Sequence, residues 1–260
     1  MVAHGVSDDR SLRFSILGPL EASRYQQILP ISARRPRVVL ATMLLAANKV
    51  VSAQRLTRAL WPGWPPDTAR TQIHYCVSSL RKRLAPADVI LSHPSGYALT
   101  IAEDQLDALA FHRLVSDAEA ARENGDLDAA ARLLRQGLSL WRGPALDGLD
   151  VPCLGAEAAR LDELRLLAFE ELVDVELRLG RAQEVIPGLR EQVALFPLRE
   201  HLAAQLMTAL HRAGRRSEAL AVFRGVRRRL RENEGLGPGP ELRGVEQLIL
   251  SADASPGRGA

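Results

Sequence analysis

The sequence predicts a mainly α fold in two parts, and three observations carry the prediction. In the stretch Arg70 to Leu84, the residues Ile73, Val77, Leu80 and Leu84 recur at the i, i+4, i+7, i+11 spacing that lines one side of a helix. Directly downstream, Val89 to Ile101 holds two β-forming runs around Pro94-Ser95-Gly96, a hairpin in which Gly96 is expected to supply the φ > 0 position. Farther along, Gly180-Arg-Ala-Gln-Glu-Val185 and Gly214-Arg-Arg-Ser-Glu-Ala219 stand 34 residues apart, the tetratricopeptide period. A basic helix followed at once by a hairpin is the order of a winged helix-turn-helix. The repeat points to a tetratricopeptide-like all-α helical domain.

Upstream of the third helix the chain supplies the rest of a winged helix-turn-helix with a small β-sheet. Leu12, Phe14 and Ile16 alternate, Gly18-Pro19 interrupts them, and Ile28-Leu29-Pro30-Ile31 follows, which predicts a short N-terminal sheet. Arg37 to Ala47 is apolar enough for a buried first helix. Ser52 is placed to cap a second helix running to Trp61. The loop Pro62-Gly-Trp-Pro-Pro-Asp67 separates the second helix from the third, and Asp67 is expected to cap the third. Trp64 in that loop has two readings, packing against the fold or exposure as a contact for a partner protein.

The side of the third helix opposite its apolar stripe carries Thr71, His74, Ser78, Arg81 and Lys82 within about a third of the circumference at roughly 100° per residue. These side chains reach base edges and phosphates in a DNA major groove. The plainer reading is an ordinary helix with a solvated charged face. Charge distribution favours the first. Residues 1–103 hold 13 Lys and Arg against 6 Asp and Glu, net +7, whereas residues 104–260 hold 21 against 25, net −4. Phosphate neutralisation scales with positive charge at the contact. A division of labour is therefore expected between a DNA-binding domain at 1–103 and an interaction domain at 104–260.

In the second part, helical periodicity predicts helices over 107–124, 127–141, 156–180, 182–195, 199–213 and 216–233, with a terminal helix from Glu241 to Ser251. Gly125-Asp-Leu-Asp-Ala-Ala130 repeats the local pattern 55 residues before Gly180, an offset explained by an insertion that includes Trp141-Arg-Gly-Pro144. Glycine allows a sharp turn between antiparallel helices, and Ala130 and Ala219 allow their close approach. Such stacks bind proteins on a concave face. Equally, this one could pack only on the DNA-binding domain or on a second copy.

Other signals exclude function classes. Gly235-Leu-Gly-Pro-Gly-Pro240 follows a helix rather than a strand and its prolines lack donors, so it is a linker and not a phosphate loop. Arg227, Arg228, Arg229 and Arg231 have two readings, a second DNA contact or, more commonly for such a run, a solvated or salt-bridged helix face. The histidines at 4, 74, 93, 112, 201 and 211 show no metal-ligand spacing, and Glu170-Glu171 sits in a helical pattern without a cleft signal. No catalytic residue, metal or cofactor is expected, and the chain reads as a non-enzyme. Cys76 and Cys153 make no disulfide framework and are expected to stay reduced. No secretory h-region or membrane-length apolar run is present, so a cytoplasmic location without membrane contact is expected.

Several short motifs, in order, resemble one family. Leu17-Gly-Pro-Leu20, Asn48-Lys-Val-Val-Ser52, Ala59-Leu-Trp61, Ala69-Arg70, Val77-Ser78, Leu80-Arg81 and Pro94-Ser-Gly-Tyr97 resemble the OmpR-type winged helix of the Streptomyces antibiotic regulatory protein family. The resemblance continues through Leu140-Trp-Arg-Gly-Pro-Ala-Leu146, Pro197-Leu-Arg-Glu200, Ala213-Gly-Arg215 and Gly237-Pro-Gly-Pro-Glu-Leu242, a bacterial transcriptional activation domain in that family. It implies a transcriptional activator of a secondary-metabolite (antibiotic) biosynthetic gene cluster that binds direct repeats near promoters and recruits RNA polymerase holoenzyme. Two copies would meet as a homodimer on double-stranded DNA.

Carried over by position, Thr71, His74, Ser78 and Arg81 face the groove, while His93 and Ser95 sit on the wing. Phosphate contacts fall to Arg35, Arg37, Arg70, Lys82 and Arg83, and polymerase contact to the loop bearing Trp61, Trp64 and Asp67. Family members commonly carry Arg where this chain has Ser79 and Val where it has Tyr75, departures that bear on the preferred DNA sequence and on the phosphate clamp. The resemblance implies the fold of two-component phosphorelay outputs, expected here without a receiver domain before it or a Walker motif after the helical part. The alternative is a helical protein-interaction scaffold with only weak or non-specific nucleic-acid binding.

Overall fold

The computed structural model describes residues 11–251. The chain falls into two compact units, Met1–Ala120 with Arg132–Ala168, and Ala121–Ala131 with Phe169–Ala260. No helix among the described residues is long and apolar enough to cross a membrane.

The first unit opens with an antiparallel sheet in the order β1 (Leu12–Ser15), β2 (Glu21–Arg24), β3 (Gln27–Ile28). Phe14 stands opposite Ala22, and Leu12, Phe14 and Ile16 are at most 1% exposed, as their alternation predicts. Tyr25 and Gln26, at φ 48° and 66°, form the two-residue turn between β2 and β3. The anticipated strand at 28–31 is shorter than its apolar run, because Pro30 has no N–H for a ladder.

Helix α1 (Arg34–Leu44) begins earlier than expected. Pro36 lies in its first turn, where a missing N–H loses no helical bond. Residues Val38 to Leu44 are all buried. Ser52 ends the short strand β4 (Val50–Ser52) and caps α2 (Ala53–Leu60), its hydroxyl accepting from the Arg55 N–H at 3.1 Å. Helix α3 (Ala69–Leu84) is not capped by Asp67. The turn closes one residue later, with the Ala69 N–H on the Pro66 carbonyl, and Thr68 takes the cap position without a side-chain cap bond. Thr68 instead accepts from the Gln72 amide at 2.9 Å.

The wing consists of β5 (Ile90–His93) and β6 (Gly96–Leu99), and β4 joins it to give the order β4-β6-β5. Gly96 is not a left-handed turn residue, contrary to the sequence expectation. It pairs with Ser52, and a side chain there would drive into the Val51 carbonyl oxygen and lie 2.9 Å from Ser52 Cα. Glycine is required by the close approach of β4 to β6, not by φ.

A single 3-10 turn, Glu103–Gln105, leads to α4 (Asp107–Glu123), α5 (Leu127–Leu138) and α6 (Pro152–Arg178). Helix α5 ends before Trp141, whose ring is 8% exposed and meets Phe111 edge to face at 5.5 Å. The inserted segment then docks on the turn between β1 and β2. Arg142 N–H donates to Leu17 O at 2.8 Å, its guanidinium donates to Pro19 O and pairs with Glu21 at 2.8 Å, and Leu146 N–H donates to Ile16 O at 2.9 Å.

In the second unit, α8 (Glu200–Arg212) is the most buried element and packs against α7 (Ala182–Leu195), α9 (Arg216–Glu234) and α10 (Pro240–Ser251). Gly125, Gly180 and Gly214 have φ of +81°, +78° and +74°, so the repeated glycines make one kind of left-handed turn. The buried Glu170 carboxylate receives Arg199 at 2.6 and 2.9 Å, and Glu200 accepts from the Gly239 N–H at 2.6 Å. These bonds join motifs distant in sequence.

Candidate nucleic-acid interface

Helix α3 turns Ile73, Cys76, Val77, Leu80 and Leu84 into the core, which fixes what its other faces present. Three strips result. At roughly 100° per residue, Thr71, Tyr75, Ser78 and Lys82 share an arc of about 60° directly opposite the buried stripe. All four are exposed, with Tyr75 at 72%.

His74 and Arg81 form the strip beside the wing. The His74 ring pairs with the Tyr97 hydroxyl at 3.0 Å. Arg81 donates to the Ile90 carbonyl from Nε at 3.0 Å and from Nη2 at 2.7 Å, and Nη2 also reaches the Ser92 hydroxyl at 3.0 Å. Both side chains thus tie β5 and β6 to the helix. At the wing tip His93 and Ser95 are exposed and bonded to each other at 2.9 Å.

The third strip faces the N-terminus of α1. Arg35 donates to the Gln72 amide oxygen at 2.6 Å while its guanidinium lies 5.5 Å over the Trp61 ring. Arg83 donates to Pro30 O at 2.9 Å. Arg37 is half-buried, and Arg70, exposed one residue after the helix start, falls by the same spacing on the side of His74 and Arg81. The result is cationic groups on both margins of a polar central strip.

Trp64 is 99% exposed, so among the described residues it packs on nothing. Asp67 is exposed beside it, whereas Trp61 is half-buried beneath Arg35. The structure therefore sets Trp64 and Asp67 apart from Trp61. Tyr75 is the surface residue that the periodicity argument passed over. It stands four residues after Thr71 and three before Ser78, so the same spacing rule reaches it.

Burial raises the Cys76 thiol above its ordinary pKa, partly offset by Arg35, and burial with Glu157 does the same for Cys153. Neither has the depressed value of a reactive thiolate. Among the described residues no group of three or more His, Cys, Asp and Glu side chains is placed to hold a metal ion. His4 lies outside the described residues.

Residues 106–250 match the family model described as the bacterial transcriptional activator domain. Regulatory protein AfsR of Streptomyces coelicolor is 40% identical over 244 residues, covering 94% of this chain and 24% of AfsR. Regulatory protein DnrI of Streptomyces peucetius is 36% identical over 255 residues, covering 93% of each chain. This chain thus spans about a quarter of the length of the first relative and nearly all of the second. A solved structure of Mycobacterium tuberculosis EmbR in complex with a low-affinity phosphopeptide superposes with a TM-score of 0.89 at 35% identity, covering 93% of this chain and 65% of that one.

Proposed function

The chain belongs to the Streptomyces antibiotic regulatory protein family, a family of transcriptional regulators, and from that premise we propose that it is a sequence-specific DNA-binding activator of a secondary-metabolite gene cluster. The observation that carries the reading is the exposed strip Thr71, Tyr75, Ser78 and Lys82 on α3, flanked by the wing on one side and by Arg35 and Arg83 on the other. A helix with that profile enters a major groove with Thr71, Tyr75 and Ser78 on base edges, while the longer Lys82 and the cationic margins reach the two phosphate backbones.

Residues 1–103 serve as the DNA-binding part and residues 104–260 as the regulatory part, in keeping with their net charges of +7 and −4. Two copies bind direct repeats spaced near one helical turn, which presents equivalent surfaces to both and makes the homodimer a product of the DNA. Arg37, Arg70, Lys82, His93 and Ser95 contact the backbone. Trp64 and Asp67 supply a contact for RNA polymerase holoenzyme, supported by the full exposure of an indole that has no packing role. The protein acts in the cytoplasm.

The test is enrichment of duplexes from a random-sequence pool by the full chain, followed by titration in rising salt. A repeated motif, bound in preference to scrambled duplex at moderate salt, supports the activator. Binding that ignores sequence and vanishes with salt supports the scaffold alternative.

A further inference from the structure

We propose that Tyr75 is the residue with which this chain reads thymine, its ring lying on the 5-methyl group in the major groove. The inference rests on the DNA-binding reading above and narrows it to one side chain and one base.

Geometry isolates Tyr75 from the other candidates. His74 and Arg81, its neighbours toward the wing, are bonded to Tyr97, Ile90 and Ser92, and Gln72, toward α1, is held by Arg35 and Thr68. What else projects freely from the centre of the face is short or charged: Thr71, Ser78 and Lys82. Tyr75 is 72% exposed and supplies the one large apolar surface in that strip.

The major-groove floor carries one methyl group, that of thymine; apart from the much smaller C5–H of cytosine, the edge groups read there are donors and acceptors. An aromatic ring at the centre of an inserted helix meets that methyl with gain, and meets bare polar edges with a desolvation cost. The flanking hydroxyls of Thr71 and Ser78 are too short to reach across the ring, so they do not compete for the same base.

The probe is the duplex that the full chain enriches from a random-sequence pool, with each thymine replaced in turn by uracil, which removes only the methyl. Loss of one buried methyl predicts about a fourfold loss of affinity at one thymine position. Tyr75→Phe keeps that step because the ring remains. Tyr75→Ala abolishes it there while leaving other positions unchanged. Lys82→Ala weakens binding to every duplex yet preserves the step, since it removes a phosphate contact alone.

A fourfold uracil step that survives in Tyr75→Ala, or one that disappears in Tyr75→Phe, overturns the assignment while leaving the activator reading in place. A wild-type chain that enriches no sequence overturns both.

Discussion

The guanidinium of Arg81 donates two hydrogen bonds to the backbone carbonyl of Ile90, at 2.7 and 3.0 Å, and so fastens the first strand of the wing to the recognition helix. With Arg81 in place Ile90 is 1% exposed, although it lies on β5 at the edge of its sheet. Arg81→Ala removes charge-assisted hydrogen bonds that hold the wing to the helix, at a cost of about 1–3 kcal/mol. The expected outcome is a lower midpoint in thermal or urea unfolding, together with weaker binding to all duplexes and an unchanged preferred sequence. Arg81→Lys recovers little, because an ammonium lacks the planar fork that reaches Ile90 and Ser92 together. A variant that folds as firmly as wild type but prefers a different motif would show that Arg81 leaves the wing to read a base.

Trp64 invites the opposite experiment. Its indole is 99% exposed, so Trp64→Ala removes no packing and should shift stability by no more than about 0.5 kcal/mol. DNA affinity is also expected to hold, since the loop lies before α3 and outside its central strip. The polymerase contact predicts a fall in transcript yield in a reconstituted reaction with holoenzyme, at saturating activator. Unaltered transcription would locate the contact elsewhere.

Much of this arrangement was legible in the sequence, and the gaps have physical causes. Helix existence followed from apolar spacing, and α3, α7, α8 and α9 fall within a few residues of where periodicity puts them. Periodicity also drew the arc containing His74 and Arg81, but an arc on an isolated helix carries no information about which margin the wing will occupy. Only the tertiary pairing of β6 with β4 and of β5 with β6 decides that His74 meets Tyr97 and that Arg81 meets Ile90. Gly96 was visible as a needed glycine, with its reason hidden in the strand it crosses. The motifs Leu17-Gly-Pro-Leu20 and Leu140-Trp-Arg-Gly-Pro-Ala-Leu146 were recognisable separately, and nothing local announces that Arg142 clasps Leu17 and Pro19.

Gly96→Ala tests the crossing directly. The added methyl would overlap the Val51 carbonyl oxygen, a backbone atom with no rotamer to change. Relief requires β4 and β6 to separate, and overpacking of this kind costs about 1–3 kcal/mol. Because Ser52 both pairs with Gly96 and caps α2, the loss should extend to that helix. Hydrogen exchange at the Arg55 amide, which donates to the Ser52 hydroxyl, is expected to accelerate along with the wing amides. Protection retained at Arg55 in a destabilised variant would mean that the wing opens without disturbing the cap.

Asp107 adds a pH dependence at the start of α4. Its carboxylate accepts from the Ile16 N–H at 2.9 and 3.0 Å, the Leu17 N–H at 3.0 Å and the Ala108 N–H at 2.8 Å. Burial nevertheless dominates and raises its pKa above the ordinary carboxylate range, the three N–H donors and Arg142 offsetting only part. An acid whose pKa is higher folded than unfolded holds its proton more tightly in the folded state. Its titration therefore favours folding below the unfolded value, and that contribution is lost as pH rises through the folded one. Asp107→Asn removes the titration and one acceptor, at a cost of about 1–3 kcal/mol near neutrality. The wild-type advantage over the variant should then widen as the pH of a urea unfolding series falls from 7 toward 4. An advantage that narrows in acid would mean that the N–H donors outweigh burial and keep the carboxylate ionised.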